Sequence, residues 1–310
     1  MPLLKRKRVF AAKVEATAGT AETLTASEGV FNAYNVMIQP TVTVEEREAQ
    51  GAFNRLAGVP GARQGTATFR TDIHYDATNI PTWASVLLPA CGFVDDDPSF
   101  LPKTAAPGTG VKTLTIGCFQ DGMFKSIYGA VGTAQIVFPA GRMAYIDWTF
   151  TGIWAAPTDT SIIAPTYPTT LPMRFASSTI TYNSVAAKVE QVTIDLGNNV
   201  VMREDGSTVA GFSTGLITDR NPRISLNPES VLVATNNING LFLAGTQAAF
   251  SLSIPVGVDG TFVVAAGNAQ VMNQQEGDRN QMVTDEIELA CQKNNTINDQ
   301  ELSITFNPET

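Results

Sequence analysis

Residues Gly132–Phe150 read GTAQIVFPAGRMAYIDWTF, and residues Gly267–Leu289 read GNAQVMNQQEGDRNQMVTDEIEL. Each opens with G-x-A-Q and an apolar residue and then passes a polar, glycine-containing turn. Each then enters a strand-like stretch holding an aspartate, Asp147 in the first and Asp285 in the second. The two hairpins lie about 135 residues apart. Such an echo raises the expectation of a tandem repeat.

The surrounding chain supports that expectation. Residues 31–44 are β-rich, and residues 45–65 read as a long loop, charged at first and glycine-containing later. Residues 66–76, TATFRTDIHYD, alternate strictly: Ala67, Phe69, Thr71, Ile73 and Tyr75 share one strand face. Residues 78–92 carry the best helix signal, with Asn79 as cap, Pro81 in the first turn, and Trp83, Val86, Leu87 and Ala90 at helical spacing. A loop over 94–110 leads to strands at 113–119, 123–130, 134–138 and 143–154, with Gln120-Asp121-Gly122 as a hairpin turn. The Pro- and Thr-rich stretch 156–172 reads as a linker.

The second half follows the same order. Strand 189–196 is followed by a polar loop over 202–222, a strand at 223–226 and an apolar segment, 239–250, in the helix's place. Strands 251–255 and 261–265 then flank a turn at Val258-Asp259-Gly260, and the G-x-A-Q hairpin closes the half. The expected fold class is mainly β: two tandem β-sandwich or barrel-forming domains, the first with a flanking α-helix. The expected division is an arm at 1–30, a first domain at 31–155, a linker at 156–172 and a second domain at 173–310.

Composition narrows the function. Of 310 residues, 44% are hydrophobic and 16% charged, a globular balance slightly poor in charge. Net charge is −9, spread as 13 basic against 14 acidic residues up to position 165 and 7 against 15 beyond it. The basic start, Lys5, Arg6, Lys7 and Arg8, reads as a solvated tail or a contact to an acidic neighbouring subunit. No basic patch is interleaved with aromatics as nucleic-acid binding requires. Cys91, Cys118 and Cys291 lack metal-site spacing and read as reduced, mostly buried thiols. Val9–Ala12 is too short for the apolar core of a secretory signal, and no run approaches a membrane span.

Catalytic signatures are missing. His74 is the single histidine, without a nucleophile elbow or second imidazole to act with, and reads as a surface or subunit-contact residue. Asp95-Asp96-Asp97 lacks the alternating ligands of a calcium loop. Gly108–Thr113 lacks the glycine before Lys112 and the helix that a phosphate loop needs. Glu45-Glu46 and Asp285-Glu286 are adjacent on strands and point to opposite faces, so they make poor acid–base pairs. Asn294-Asn295-Thr296 forms a glycosylation sequon only if the chain is secreted. No cofactor and no metal is expected, and the reading is not an enzyme.

Three stretches carry a family resemblance: KVEATAGTAETLTASEGVFNAYNVMIQP over 13–40, GTATFRTDIHYD over 65–76, and NIPTWASVLLPACGF over 79–93. The K-x-E-A-T-x-G-T opening and the helix ending in L-x-A-C-G-F resemble the tail tube, or major tail, proteins of long-tailed bacteriophages. The resemblance implies tail-tube-like β-sandwiches whose sheets join edge to edge around a channel. It further implies a virion protein assembled in the bacterial cytoplasm, serving as a passive conduit for DNA in a flexible, non-contractile siphovirus tail. With two such domains per chain, three chains would form a pseudo-sixfold ring. The partners implied are stacked trimeric rings of the chain itself, the tape measure protein and double-stranded DNA in the lumen, the tail terminator and tail-tip proteins, and no membrane. Contacts between rings would come from Glu45, Glu46, Arg47, Glu48, Phe53 and Arg55 in one loop. Arg203, Glu204, Asp205 and Phe212 would supply them in the other, with residues 1–30 as arm. Asp147 and Asp285 are the acidic candidates for the lumen. The alternative function is a virion-surface β-sandwich adhesin or carbohydrate-binding module.

Overall fold

Period-two alternation and tight turns build an antiparallel β structure. The computed structural model describes residues 2–28, 31–257, 260–294 and 298–307. In the first half the strands are β1 (Arg8–Val14), β2 (Ala33–Glu48), β3 (Arg55–Asp72), the short β4 (Phe93–Asp96) and β5 (Ser99–Pro102), β6 (Leu114–Gln120), β7 (Met123–Pro139) and β8 (Tyr145–Asp159). The second half opens with β9 (Thr179–Tyr182), β10 (Val185–Ala186), β11 (Val189–Asp195), β12 (Asn198–Glu204), β13 (Phe212–Arg220) and β14 (Arg223–Pro228). It closes with β15 (Gln247–Val256), β16 (Gly260–Arg279), β17 (Met282–Cys291) and β18 (Ser303–Asn307). Helix α1 (Thr82–Leu87) runs into a 3-10 turn, and α2 (Ile238–Ala244) precedes β15.

Hydrogen-bonded order repeats between the halves. The first half runs β1-β6-β7-β8-β3-β2, and the second runs β9-β15-β16-β17-β14-β11. In each, the helix falls between the fifth and second strands of that order, β3 and β6 or β14 and β15. The halves are welded by β7 and β11, which pair antiparallel from Gln135↔Asp195 to Pro139↔Gln191. Their cores are also one. Phe306 of β18 lies against Tyr75, Trp83 and Phe100 of the first half, and Phe138 of β7 meets Phe262 of β16 at 6.3 Å.

Several expectations hold. Ala67, Phe69, Thr71, Ile73 and Tyr75 are all buried. Asp121 and Gly122 both take left-handed φ, 47° and 99°, the geometry of a two-residue hairpin between β6 and β7. The three cysteines are free and buried.

Others are corrected. The loop expected over 45–65 is a β-hairpin made of the ends of β2 and β3, because its exposed apolar and charged residues alternate across a paired ladder. The loop over 202–222 is likewise the β12–β13 hairpin. The strands expected at 123–130 and 134–138 are one strand, β7, bent by a bulge beside Gly129. Residues 8–14 form β1 inside the fold, not an extended arm, since Phe10, Ala11 and Ala12 are apolar enough to be buried. The helix is shorter than expected: Pro81 is its cap, and Asp76 rather than Asn79 closes the preceding turn. His74 is buried, not at the surface, beside Trp83, whose Nε1 donates to the His74 carbonyl at 3.0 Å. Residues Val258 and Asp259 of the expected turn, and Asn295 and Thr296 of the sequon, lie outside the described residues.

Candidate functional site

The family-like K-x-E-A-T-x-G-T stretch has a clear physical use. Glu15 is 5% exposed at the end of β1. Its Oε2 accepts from the Gly19 amide at 2.8 Å and Thr113 Oγ1 at 2.6 Å. Its Oε1 accepts from Thr115 Oγ1 at 2.9 Å and the Gly129 amide at 2.6 Å. A buried carboxylate needs such donors, because desolvation without them is costly. Gly19 has φ 79°, and a Cβ there would run into the Ser213 carbonyl. Lys13 reaches Glu22 at 3.1 Å and Glu28 at 3.0 Å, and its hydrogen bond to Glu28 raises its pKa. The motif therefore locks the first turn after β1 onto β6 and β7. Sequence reading saw the motif but not the pocket that Glu15 fills.

The first hairpin projects from the sheet. Residues 39–62 are exposed almost throughout, and Phe53 at its tip is fully exposed. Glu45 pairs in register with Val59, Arg47 with Leu56 and Glu48 with Arg55. The Arg55 guanidinium reaches Glu46 at 2.7 Å and Glu48 at 3.9 Å, all three widely exposed. Such pairs contribute little stability in water. The second hairpin behaves differently. Thr214 Oγ1 donates to the Gly129 carbonyl at 3.4 Å and Asn198 Nδ2 to the Gly132 carbonyl at 2.9 Å, so it lies against β7 of the first half. Arg203 and Glu204 remain exposed, Glu204 opposite Phe212, and Ser207 hydrogen bonds lower the Asp205 pKa.

The basic start is folded back. Lys7 meets Asp121 at 2.7 Å, and the Leu4 amide donates to the same carboxylate. Arg8 donates from Nη1 to the Val36 carbonyl of β2 at 2.8 Å, while Lys5 and Arg6 are exposed.

Register decides which acids correspond between halves. β2 and β11 begin at 33 and 189 and α1 and α2 at 82 and 238, an offset of 156 both times. Both β2 and β11 carry a register shift near the start, at Tyr34/Met37 and Val189/Val192. β7 leaves β6 after Ala130 and ends at 139, and β16 leaves β15 after Gln270 and ends at 279, an offset of 140 both times. Asp147 faces Gln135, and at the matching level Glu286 faces Gln275. The counterpart of Asp147 is thus Glu286. The G-x-A-Q echo lies about five residues out of structural register.

Asp147 alternates with buried Ile146 and Trp148 and so faces away from the core. Arg70 holds it in a two-pronged pair, both bonds 2.8 Å, and that hydrogen bond raises the arginine pKa. Asp285 stands on the face of buried Ile287 and Leu289 and accepts from Ser230 Oγ and Gln274 Nε2, each at 2.9 Å.

Among the described residues no group of three or more His, Cys, Asp or Glu is placed to hold a metal. Among the described residues no helix is long and apolar enough to cross a membrane. What the fold offers instead are open edges. Eight strands run in the order β2-β3-β8-β7-β11-β14-β17-β16. Among the described residues the outer edge of β2 pairs with no strand, and neither does that of β16 beyond Gln270. Against this geometry, a model described as phage tail tube protein matches residues 5–307. A search of curated proteins returns no match.

Proposed function

The chain belongs to the phage tail tube protein family, and from that membership we propose that it polymerises into the hollow tail tube and acts there as a passive conduit for DNA. The family is structural and its members are tail components, so self-assembly is the activity to explain.

The observation that carries the reading is the repeated strand order with both end edges open. Each half contributes four strands to the run from β2 to β16. A contact that joins one edge to a different edge of the next copy is heterologous, and it closes into a ring when the rotation allows. We read the chain as a tandem duplicate, with three chains giving a pseudo-sixfold ring in a non-contractile, siphovirus-type tail. Rings would stack through the projecting hairpin around Phe53 and through the exposed end of the second hairpin at Arg203 to Phe212. The tape measure protein and DNA would occupy the lumen, and the terminator and tail-tip proteins the ends.

The sheet face carrying Asp147 and Glu286 is the proposed lumen wall. Net charge −9 suits a channel that DNA must not stick to. Arg70 and Arg223 share that face, the latter 3.4 Å from Glu288, so part of its negative charge is locally balanced. Asp285, one residue away, points to the other face and belongs to the lumen only if the sheet end twists.

Electron microscopy of the purified chain across a concentration range tests the reading. Rings or tubes with three two-lobed repeats are expected. Small compact particles at every concentration would refute it and favour a virion-surface adhesin.

A further inference from the structure

The internal weld between the halves is also a template. β7 parts from β6 at Ala130, and its last nine residues, 131–139, would be left open on that side. β11 fills the end of the gap, pairing Gln191–Asp195 with Gln135–Pro139. The main chain then continues along the same edge, with the Leu196 amide donating to the Ala134 carbonyl at 3.0 Å. β16 repeats this situation. It parts from β15 at Gln270, its last nine residues are 271–279, and among the described residues no strand takes them on that side. The strand that would fill the gap by repetition is β2, whose own outer edge is open. Within one chain the two edges are the opposite ends of an eight-strand run, so β2 must come from a second copy.

We propose that β16 of one copy pairs antiparallel with β2 of the next in the register of the β7–β11 weld, with Gln275 opposite Gln39, Glu276 opposite Ile38 and Asp278 opposite Val36. This inference rests on the tube reading and specifies its lateral joint. The register follows from the offsets of 140 and 156: Gln135↔Asp195 becomes Gln275↔Gln39, and Phe138↔Val192 becomes Asp278↔Val36.

The chemistry of the two joints differs in a way that supports the assignment. The internal one packs buried Ile136 and Phe138 beside Val192 and Ile194. The open edge carries exposed Glu276 and Asp278 at the matching positions. Charged side chains on a free edge keep it from sticking to arbitrary strands before assembly. A specific partner must then answer the charge. Arg8 does so from the correct place: its guanidinium is bonded to the carbonyl of Val36, the residue that Asp278 would face, and among the described residues it is paired with no carboxylate. The acidic second half thus meets the end of the chain that holds the basic cluster.

Disulfide trapping tests the register. Gln39 and Gln275 are both exposed, so a Gln39→Cys/Gln275→Cys variant of the full chain should fold normally. Facing residues on paired strands bring Cβ atoms within disulfide reach. Oxidation of assembled tubes should give covalent dimer and trimer, and about tenfold less in the Gln39→Cys/Gln274→Cys variant, because a one-residue step puts the side chain on the other face. The native thiols are buried and should stay silent. Variant tubes that assemble normally but trap no more than the control would overturn the joint and leave the tube reading intact. A wild-type chain that never forms rings would remove the tube reading, and the joint with it.

Discussion

Replacing Glu15 with alanine should unfold the N-terminal turn and cost a large share of the chain's stability. Four donors converge on this carboxylate: the Gly19 and Gly129 amides and the Thr113 and Thr115 hydroxyls. The hydroxyls can rotate to other acceptors, but the two amides are fixed by the backbone. Each buried donor left unpaired costs roughly 1–3 kcal/mol, and hydrogen bonds to a charged group are the stronger kind. Two stranded amides plus the lost hydroxyl bonds give about 3–5 kcal/mol for Glu15→Ala, against a total stability of about 5–15 kcal/mol for a typical domain. Glu15→Gln keeps one acceptor oxygen and should cost about half as much. Urea denaturation of the unassembled chain, with equal slopes required before midpoints are compared, measures this. Hydrogen exchange at the Gly19 and Gly129 amides localises it. A Glu15→Ala chain within about 1 kcal/mol of wild type would refute the reasoning, because these bonds would then be no better than those to water.

Other outcomes follow from the same geometry. Phe53→Asp should leave monomer stability within about 0.5 kcal/mol, since the ring is fully exposed, yet should sharply reduce tube yield by sedimentation; unchanged yield would remove the hairpin from the assembly contacts. His74 is held below its ordinary value of 6.5 by burial, a shift opposed by Asp72 and Asp76. The unfolded chain therefore takes up that proton first, so the His74 contribution is complete above pH 6.5 and is lost as pH falls through the folded value. His74→Gln should flatten denaturation midpoints between about pH 5 and 7, and an unaltered slope would contradict the assignment. Burial raises the thiol of Cys291 to about 12 and those of Cys91 and Cys118 in the same direction. A thiol reagent at pH 8 should find no reactive cysteine in the native chain and three after denaturation; rapid native labelling would show that one of them is exposed.

Much was legible in the residues themselves. Alternation marked the buried face of β3, and Asp121-Gly122 marked the β6–β7 turn, because side-chain period and left-handed backbone are local properties. The K-x-E-A-T-x-G-T stretch could be recognised but not explained: Glu15 finds its donors on residues about a hundred positions away. Residues 45–65 and 202–222 looked like loops because charged residues and glycines crowd them, and those report exposure rather than backbone pairing. The buried state of His74 was equally hidden, since it depends on how the Trp83 segment, nine residues on, folds back beside it.

Composition and alternation by themselves determined a mainly β chain with a repeated order of elements. Tertiary structure alone decided the register. The G-x-A-Q echo near Gly267 has the same inward and outward pattern as the stretch near Gly132, although the two are about five residues out of step. Side chains alternate with period two, and the bulge between Val271 and Asn273 absorbs the odd residue, so the echo sets buried Ala269 and Val271 against buried Ala134 and Ile136 although Met272 beside them is exposed. Only the ladders connecting distant strands reveal that Glu286 stands where Asp147 does, and that β16 ends with an edge that no strand among the described residues covers.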